Sequence, residues 1–180
     1  MRIEADAVID HPRPAVFRAY RDRLPQLVEG LPRIRSIEIE ERTEDGPIVR
    51  LTNVWYGAAK IPSVAEKVLP AVLSWHDYAV WDESAWRAEW RLESHAFPEA
   101  VQCAGENVFV DLGDGRTRVE IAGEIRIDLT KVRVMPELIA GKVSEAVERF
   151  LVRQITPNLL AVSDALADHL DGVGEQPAAP

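Results

Sequence analysis

Apolar and polar positions alternate with a period of two through the middle of the chain and recur with a helical period only towards its ends. Residues 3–9 predict a first strand, which Pro12 and Pro14 break. Val16, Phe17, Tyr20 and Leu24 then share one face of a helix over about Ala15 to Leu24, with Pro14 suited to its first turn. A short amphipathic piece follows at Leu24–Leu31, ended by Gly30 and Pro32. From Ile34 to Leu129 the chain reads as antiparallel strands. Ile34, Ile37 and Ile39 carry the apolar positions of the first, Asp45-Gly46-Pro47 supplies turn chemistry, and Val49, Leu51, Asn53 and Trp55 share a face of the return strand. A connector with Pro62 and Pro70 follows, with a short helix expected at Val64–Leu69. Next come strands Trp75–Trp81 and Trp86–Ser94, turning at Asp82-Glu83-Ser84. In the second, Trp86, Ala88, Trp90 and Leu92 face in and Arg87, Glu89, Arg91 and Glu93 face out. A last pair, about Val101–Leu112 and Thr117–Leu129, is joined by Gly113-Asp114-Gly115. One apolar and one charged face is the pattern of an antiparallel sheet with a single wet side.

From about Met135 to Leu170 the period becomes helical. Ile139, Val143, Val147, Phe150 and Leu151 form the stripe, continued by Leu159, Val162, Leu166 and Leu170 beyond an expected kink at Pro157. One helix with one apolar face cannot cover so large a sheet. A sheet curled around it encloses either a packed core or a cavity. The expectation is one α+β domain over residues 1–171 and a disordered Gly/Pro/Ala-rich tail over 172–180.

Composition narrows the function. The 180 residues suit one domain with a real core, and 47% are apolar. A net charge of −9 argues against a sequence-independent grip on nucleic acid, which needs a basic face. Cys103 is the only cysteine, so neither an intrachain disulfide nor a cysteine-based metal cluster can form. A lone thiol suits a reducing compartment. Residues 1–6 lack the apolar stretch of a signal peptide, and no run of about 18 apolar residues spans a membrane. The expected location is cytoplasmic, without integral membrane association.

The element order, strand, two short helices, several strands, long helix, resembles the START-like or helix-grip (SRPBCC) superfamily. Val8-Ile9-Asp10-His11-Pro12-Arg13-Pro14-Ala15-Val16-Phe17 followed by Tyr20-Arg21-Asp22 is similar to its opening strand and first helix. Leu31-Pro32-Arg33-Ile34-Arg35-Ser36-Ile37-Glu38 resembles its passage from the second helix into the second strand. The resemblance covers roughly residues 2–170, nearest to the polyketide cyclase/dehydratase-like and coenzyme Q-binding-like branches. It implies a helix-grip fold: a curved antiparallel sheet around a long C-terminal helix, with a deep pocket between. Members bind lipids, sterols, polyketides, hormones or quinones, and only some are enzymes.

Polar residues on apolar faces are the candidate anchors. Asn53 interrupts an inward series, and an unsatisfied buried amide costs about 1–3 kcal/mol. It is either satisfied by neighbouring backbone or faces a ligand. Gln154 and Asn158 interrupt the helical stripe in the same way, unless they solvate carbonyls freed by Pro157. Trp55, Trp86, Trp90 and Phe150 supply flat walls or plain core. The ligand-binding set is therefore Asn53, Trp55, Trp86, Trp90, Phe150, Gln154 and Asn158. No metal and no cofactor is expected. His11, His76, His95 and His169 have no metal-ligand spacing, although His76 and His95 can meet in space, and no phosphate-cradling glycine loop exists.

Three functions remain. The first is a binding or carrier protein for a small hydrophobic molecule, such as a lipid, quinone or polyketide-like ring. The second is a cyclase or dehydratase-type enzyme using the same pocket, with His76, His95, Tyr78 or Tyr56 as acid or base. The third is a protein-partner module, which requires an exposed apolar patch.

Overall fold

A computed structural model describes residues 1–31, 33–58, 74–96, 98–128, 131 and 161–172. Seven strands form one antiparallel sheet in the order β1-β7-β6-β5-β4-β3-β2. They are β1 (Arg2–Ile9), β2 (Ile34–Asp45), β3 (Ile48–Gly57), β4 (Ser74–Asp82), β5 (Arg87–Ser94), β6 (Val101–Asp111) and β7 (Thr117–Ile127). Each of β2 to β7 pairs with its sequence neighbour, and β1 closes onto β7. At the β2–β3 turn Gly46 has φ of 57°, a left-handed conformation that glycine adopts without steric cost.

Between β1 and β2, helix α1 (Arg13–Arg23) and a 3-10 helix (Leu24–Gly30) cross one end of the sheet. Phe17 of α1 is the centre of the core: its ring meets Trp81, Trp86 and Phe109 edge-on, at centroid distances of 5.3, 5.4 and 5.0 Å. Edge-to-face pairs add about 0.5–1.5 kcal/mol each beyond the area they bury. The helical residues 161–172 bring Val162, Ala165 and Leu166 into the same cluster. His11 ties the loop after β1 to this helix through a 2.7 Å contact with Asp171.

Two expectations need correction. Ile39 was to lie inside but is 40% exposed: the register keeps it opposite the buried Asn53, and its place on the edge strand β2 leaves it open to solvent. Trp86 does not open β5. The Asp82 carboxylate accepts hydrogen bonds from the Ser84 and Ala85 amides, and Trp86 closes the turn with φ of 53°. Its indole still packs inward on Phe17 and lies under the Arg13 guanidinium at 4.6 Å. The expected helix at Val64–Leu69, the Pro157 kink and the tail beyond residue 172 lie outside the described residues.

Candidate functional site

The register sets the inner face as rows of side chains running across the strands. Leu51, Ala79, Trp90, Gly105 and Gly123 are successive partners, and so are Asn53, Asp77, Leu92, Cys103 and Ile125. Trp90 lies flat because its neighbours are glycines: a Cβ at Gly105 would stand 2.5 Å from Trp90 Cζ2, and one at Gly123 2.8 Å from Cη2. Its indole N–H donates to Asn107 Oδ1 at 2.9 Å.

The adjoining row carries a buried polar pair. Asn53 is 1% exposed and Asp77 8% exposed, directly opposite each other on β3 and β4. Asn53 Nδ2 donates to Asp77 Oδ2 at 3.2 Å. Burial pushes the Asp77 carboxyl from 3.8 up to about 6, and the Asn53 and Trp55 side chains offset part of that rise. Asn53 Oδ1 and the indole nitrogens of Trp55 and Trp81 are buried without a hydrogen-bond partner among the described residues. The Trp55 N–H thus lies near enough to favour the carboxylate without meeting hydrogen-bond geometry. Tyr20 of α1 feels the same carboxylate: burial, and secondarily the Asp77 charge, raise its phenol above the usual range, while Asn107 opposes the rise.

The site is therefore an aromatic surface with a small polar centre. Trp55 stacks on Trp75, centroids 6.0 Å apart and planes 16° from parallel. Asn53 and Trp55 sit beside Asp77, whereas Trp90 reaches Asn107 and Trp86 joins the Phe17 cluster. Phe150, Gln154 and Asn158 lie outside the described residues. Sequence reasoning missed Asp77, which shares one parity on β4 with Trp75, Ala79 and Trp81, because His76 and Tyr78 place rings on the other parity as well. The same parity puts His76 and Tyr78 on the opposite face, Tyr56 alternates likewise with Trp55, and His95 bonds to His76 there. None of the four residues expected as acid or base sits beside Asp77.

That outer face is charged and internally paired. Arg87 meets Glu89 at 2.7 Å and Glu106 at 3.0 Å along a shallow groove of about 630 Å³. Among the described residues, the exposed large apolar side chains are Met1, Val8, Ile39 and Val80, scattered singly. They do not form the patch that a partner-binding face needs. No described helix is long and apolar enough to cross a membrane.

Solved structures repeat this architecture. TTHA0849 from Thermus thermophilus superposes with a TM-score of 0.66 at 18% identity, over 94% of this chain and 99% of its own. The Zhui aromatase/cyclase from a Streptomyces species gives 0.66 at 16% identity, over 95% and 93%. A START superfamily protein from Mycobacterium smegmatis gives 0.56 at 11% identity, over 96% and 98%. No family model matches the chain, and no curated protein matches it in sequence. The curved seven-stranded antiparallel sheet, the helix after the first strand and the C-terminal helix define the START-like helix-grip fold, and this chain has it.

Proposed function

We propose that the protein binds or carries a small hydrophobic molecule, of lipid, quinone or polyketide-like character, against the inner face of the sheet. The observation that carries this reading is the Asn53–Asp77 pair, a buried amide and carboxyl beside polar atoms, Asn53 Oδ1 and the Trp55 indole nitrogen, that have no partner among the described residues. Unsatisfied buried groups cost about 1–3 kcal/mol each, so their retention favours a ligand that completes them. The chemistry reads out directly. The Trp55 N–H offers a donor to a carbonyl or hydroxyl oxygen, and Asn53 Oδ1 accepts from a ligand hydroxyl. Trp55 and Trp90 supply flat apolar walls, with Trp86, Phe150, Gln154 and Asn158 as further candidate contacts. The free, buried Cys103 supports a cytoplasmic setting.

Native mass spectrometry of the purified protein, followed by solvent extraction, tests this reading. A co-purifying apolar molecule that Asn53→Leu loses at least tenfold supports it. Retention unchanged in that variant removes Asn53 as an anchor and overturns the site.

Asp77 favours a second reading, an enzyme of cyclase or dehydratase type. A carboxyl poised near pH 6 exchanges protons readily at neutral pH. The Zhui aromatase/cyclase similarity supports that class. An Asp77→Asn variant that still binds the extracted molecule but no longer transforms it would favour the enzyme.

A further inference from the structure

On the outer face four side chains from three segments of the sequence form a continuous chain of contacts. Glu40 Oε2 lies 3.0 Å from His76 Nε2, His76 Nδ1 lies 3.0 Å from His95 Nε2, and His95 Nδ1 lies 2.9 Å from Ser74 Oγ. The pairing of β2, β3, β4 and β5 assembles them: His76 sits opposite Glu93 on β5, and His95 follows the end of that strand. The His76 side chain keeps 26% of its exposure, so the cluster is open to solvent.

We propose that His76 and His95 chelate a divalent transition metal of tetragonal preference, copper(II) or nickel(II), with water completing the coordination. The outer contacts prepare both rings for it. With Nε2–H donated to the Glu40 carboxylate, His76 presents its Nδ1 lone pair. With Nδ1–H donated to Ser74 Oγ, His95 presents its Nε2 lone pair. A carboxylate or hydroxyl on the remote ring nitrogen is the usual way a ligating imidazole is oriented and made more basic. Without metal, His95 takes the other tautomer and donates Nε2–H to His76, so loading requires only a proton shift within one ring.

The spacing selects the geometry. Two nitrogens bound about 2.0–2.1 Å from a metal stand about 2.8–3.0 Å apart at a right angle and about 3.3–3.4 Å apart at a tetrahedral one. The 3.0 Å separation fits the right angle, which copper(II) and nickel(II) take and structural zinc does not. The described residues hold no group of three or more His, Cys, Asp or Glu side chains able to bind a metal, so this is a two-ligand site of modest affinity. Its position on the outer face makes it independent of the ligand reading.

The test is titration of the full chain, freed of metal by chelator, with copper(II) sulfate, followed by calorimetry and electron paramagnetic resonance. One equivalent should bind with micromolar affinity and give a tetragonal spectrum with nitrogen coupling. His95→Ala, in an exposed bend, should weaken it at least tenfold, and Glu40→Gln by about tenfold, the lower end of the usual range for such supporting contacts. His76→Ala combined with His95→Ala should abolish the one-equivalent micromolar binding, leaving only the weaker binding at His11 and His169. Equal titrations of the wild-type chain and His95→Ala, with both folded by circular dichroism, would overturn the site. A wild-type spectrum without nitrogen coupling would do the same.

Discussion

Asn53 and Asp77 face each other across β3 and β4 and share a 3.2 Å hydrogen bond on the buried side of the sheet. Amide and carboxyl satisfy each other only in part. The Asp77 carboxyl holds its proton to about pH 6, since charge there meets little solvent.

This makes Asp77 a source of pH-dependent stability. Its folded pKa is raised from 3.8 to about 6, so between those values the native state binds more protons than the unfolded chain. Stability therefore falls as pH rises through that window. At about 1.4 kcal/mol per pKa unit the full effect is about 3 kcal/mol. Urea unfolding of the wild-type chain and of Asp77→Asn from pH 4 to 7 isolates it. The wild type should lose stability relative to the variant by up to that amount, and parallel curves would refute the burial argument.

Trp90 depends on the absence of side chains beneath it. Gly105→Ala places a Cβ 2.5 Å from Trp90 Cζ2 and also against the Ala122 carbonyl, which belongs to the backbone and cannot rotate away. Overpacking of this kind costs about 1–3 kcal/mol. Denaturation midpoints should drop accordingly, with a change in tryptophan fluorescence as the indole shifts off Asn107. An unchanged midpoint and spectrum would mean that Trp90 does not lie where the register puts it.

The α1 helix is fastened to the β4–β5 turn through Arg21. Its guanidinium donates to both carboxylate oxygens of Asp22, at 2.8 and 2.9 Å, and to Glu83 at 3.2 Å. Burial alone would raise the Asp22 pKa, but hydrogen bonds from Arg21 and Arg42 overcome it and hold the carboxyl below 3.8. A depressed folded pKa contributes stability above the unfolded value and loses it as pH falls through the folded one. Arg21→Met should cost about 2 kcal/mol at pH 7, the scale of hydrogen bonds to charged groups. The deficit should narrow in acid. A deficit that stays constant to pH 2 would locate the effect in packing instead.

Cys103 lies under Leu92 and Ile125, and burial pushes its thiol up to about 12, with the Asp77 charge adding to the rise. Thiolate is the reactive form, so the native protein should resist a disulfide reagent at pH 8 and titrate one thiol after unfolding. Rapid modification of the folded chain would contradict that burial.

Periodicity along the chain determined much of this protein. Alternation at Ala88, Trp90, Leu92 and at Val119, Ile121, Ile125 marked the strands and their buried side. Turn residues at Asp45-Gly46 and Gly113-Asp114-Gly115 set which strands pair. Both signals are local, because a side chain's face and a turn's dihedrals depend on residues a few positions away. Asn53 was legible for the same reason, as a polar residue in an apolar series. The tertiary structure decided what lies between strands. Strand β4 carries aromatic or imidazole rings on both faces, Trp75 and Trp81 on one and His76 and Tyr78 on the other, so alternation alone could not choose its buried side or reveal Asp77. Register chose it, by seating Asp77 against Asn53, and the same register brought His76 to His95 and Glu40 without any telling spacing in sequence. The exposure of Ile39 is likewise a property of the assembled sheet, in which β2 is an edge strand. Contacts made by hydrogen-bonded neighbours depend on how two distant segments align, and one segment read by itself carries no record of that alignment.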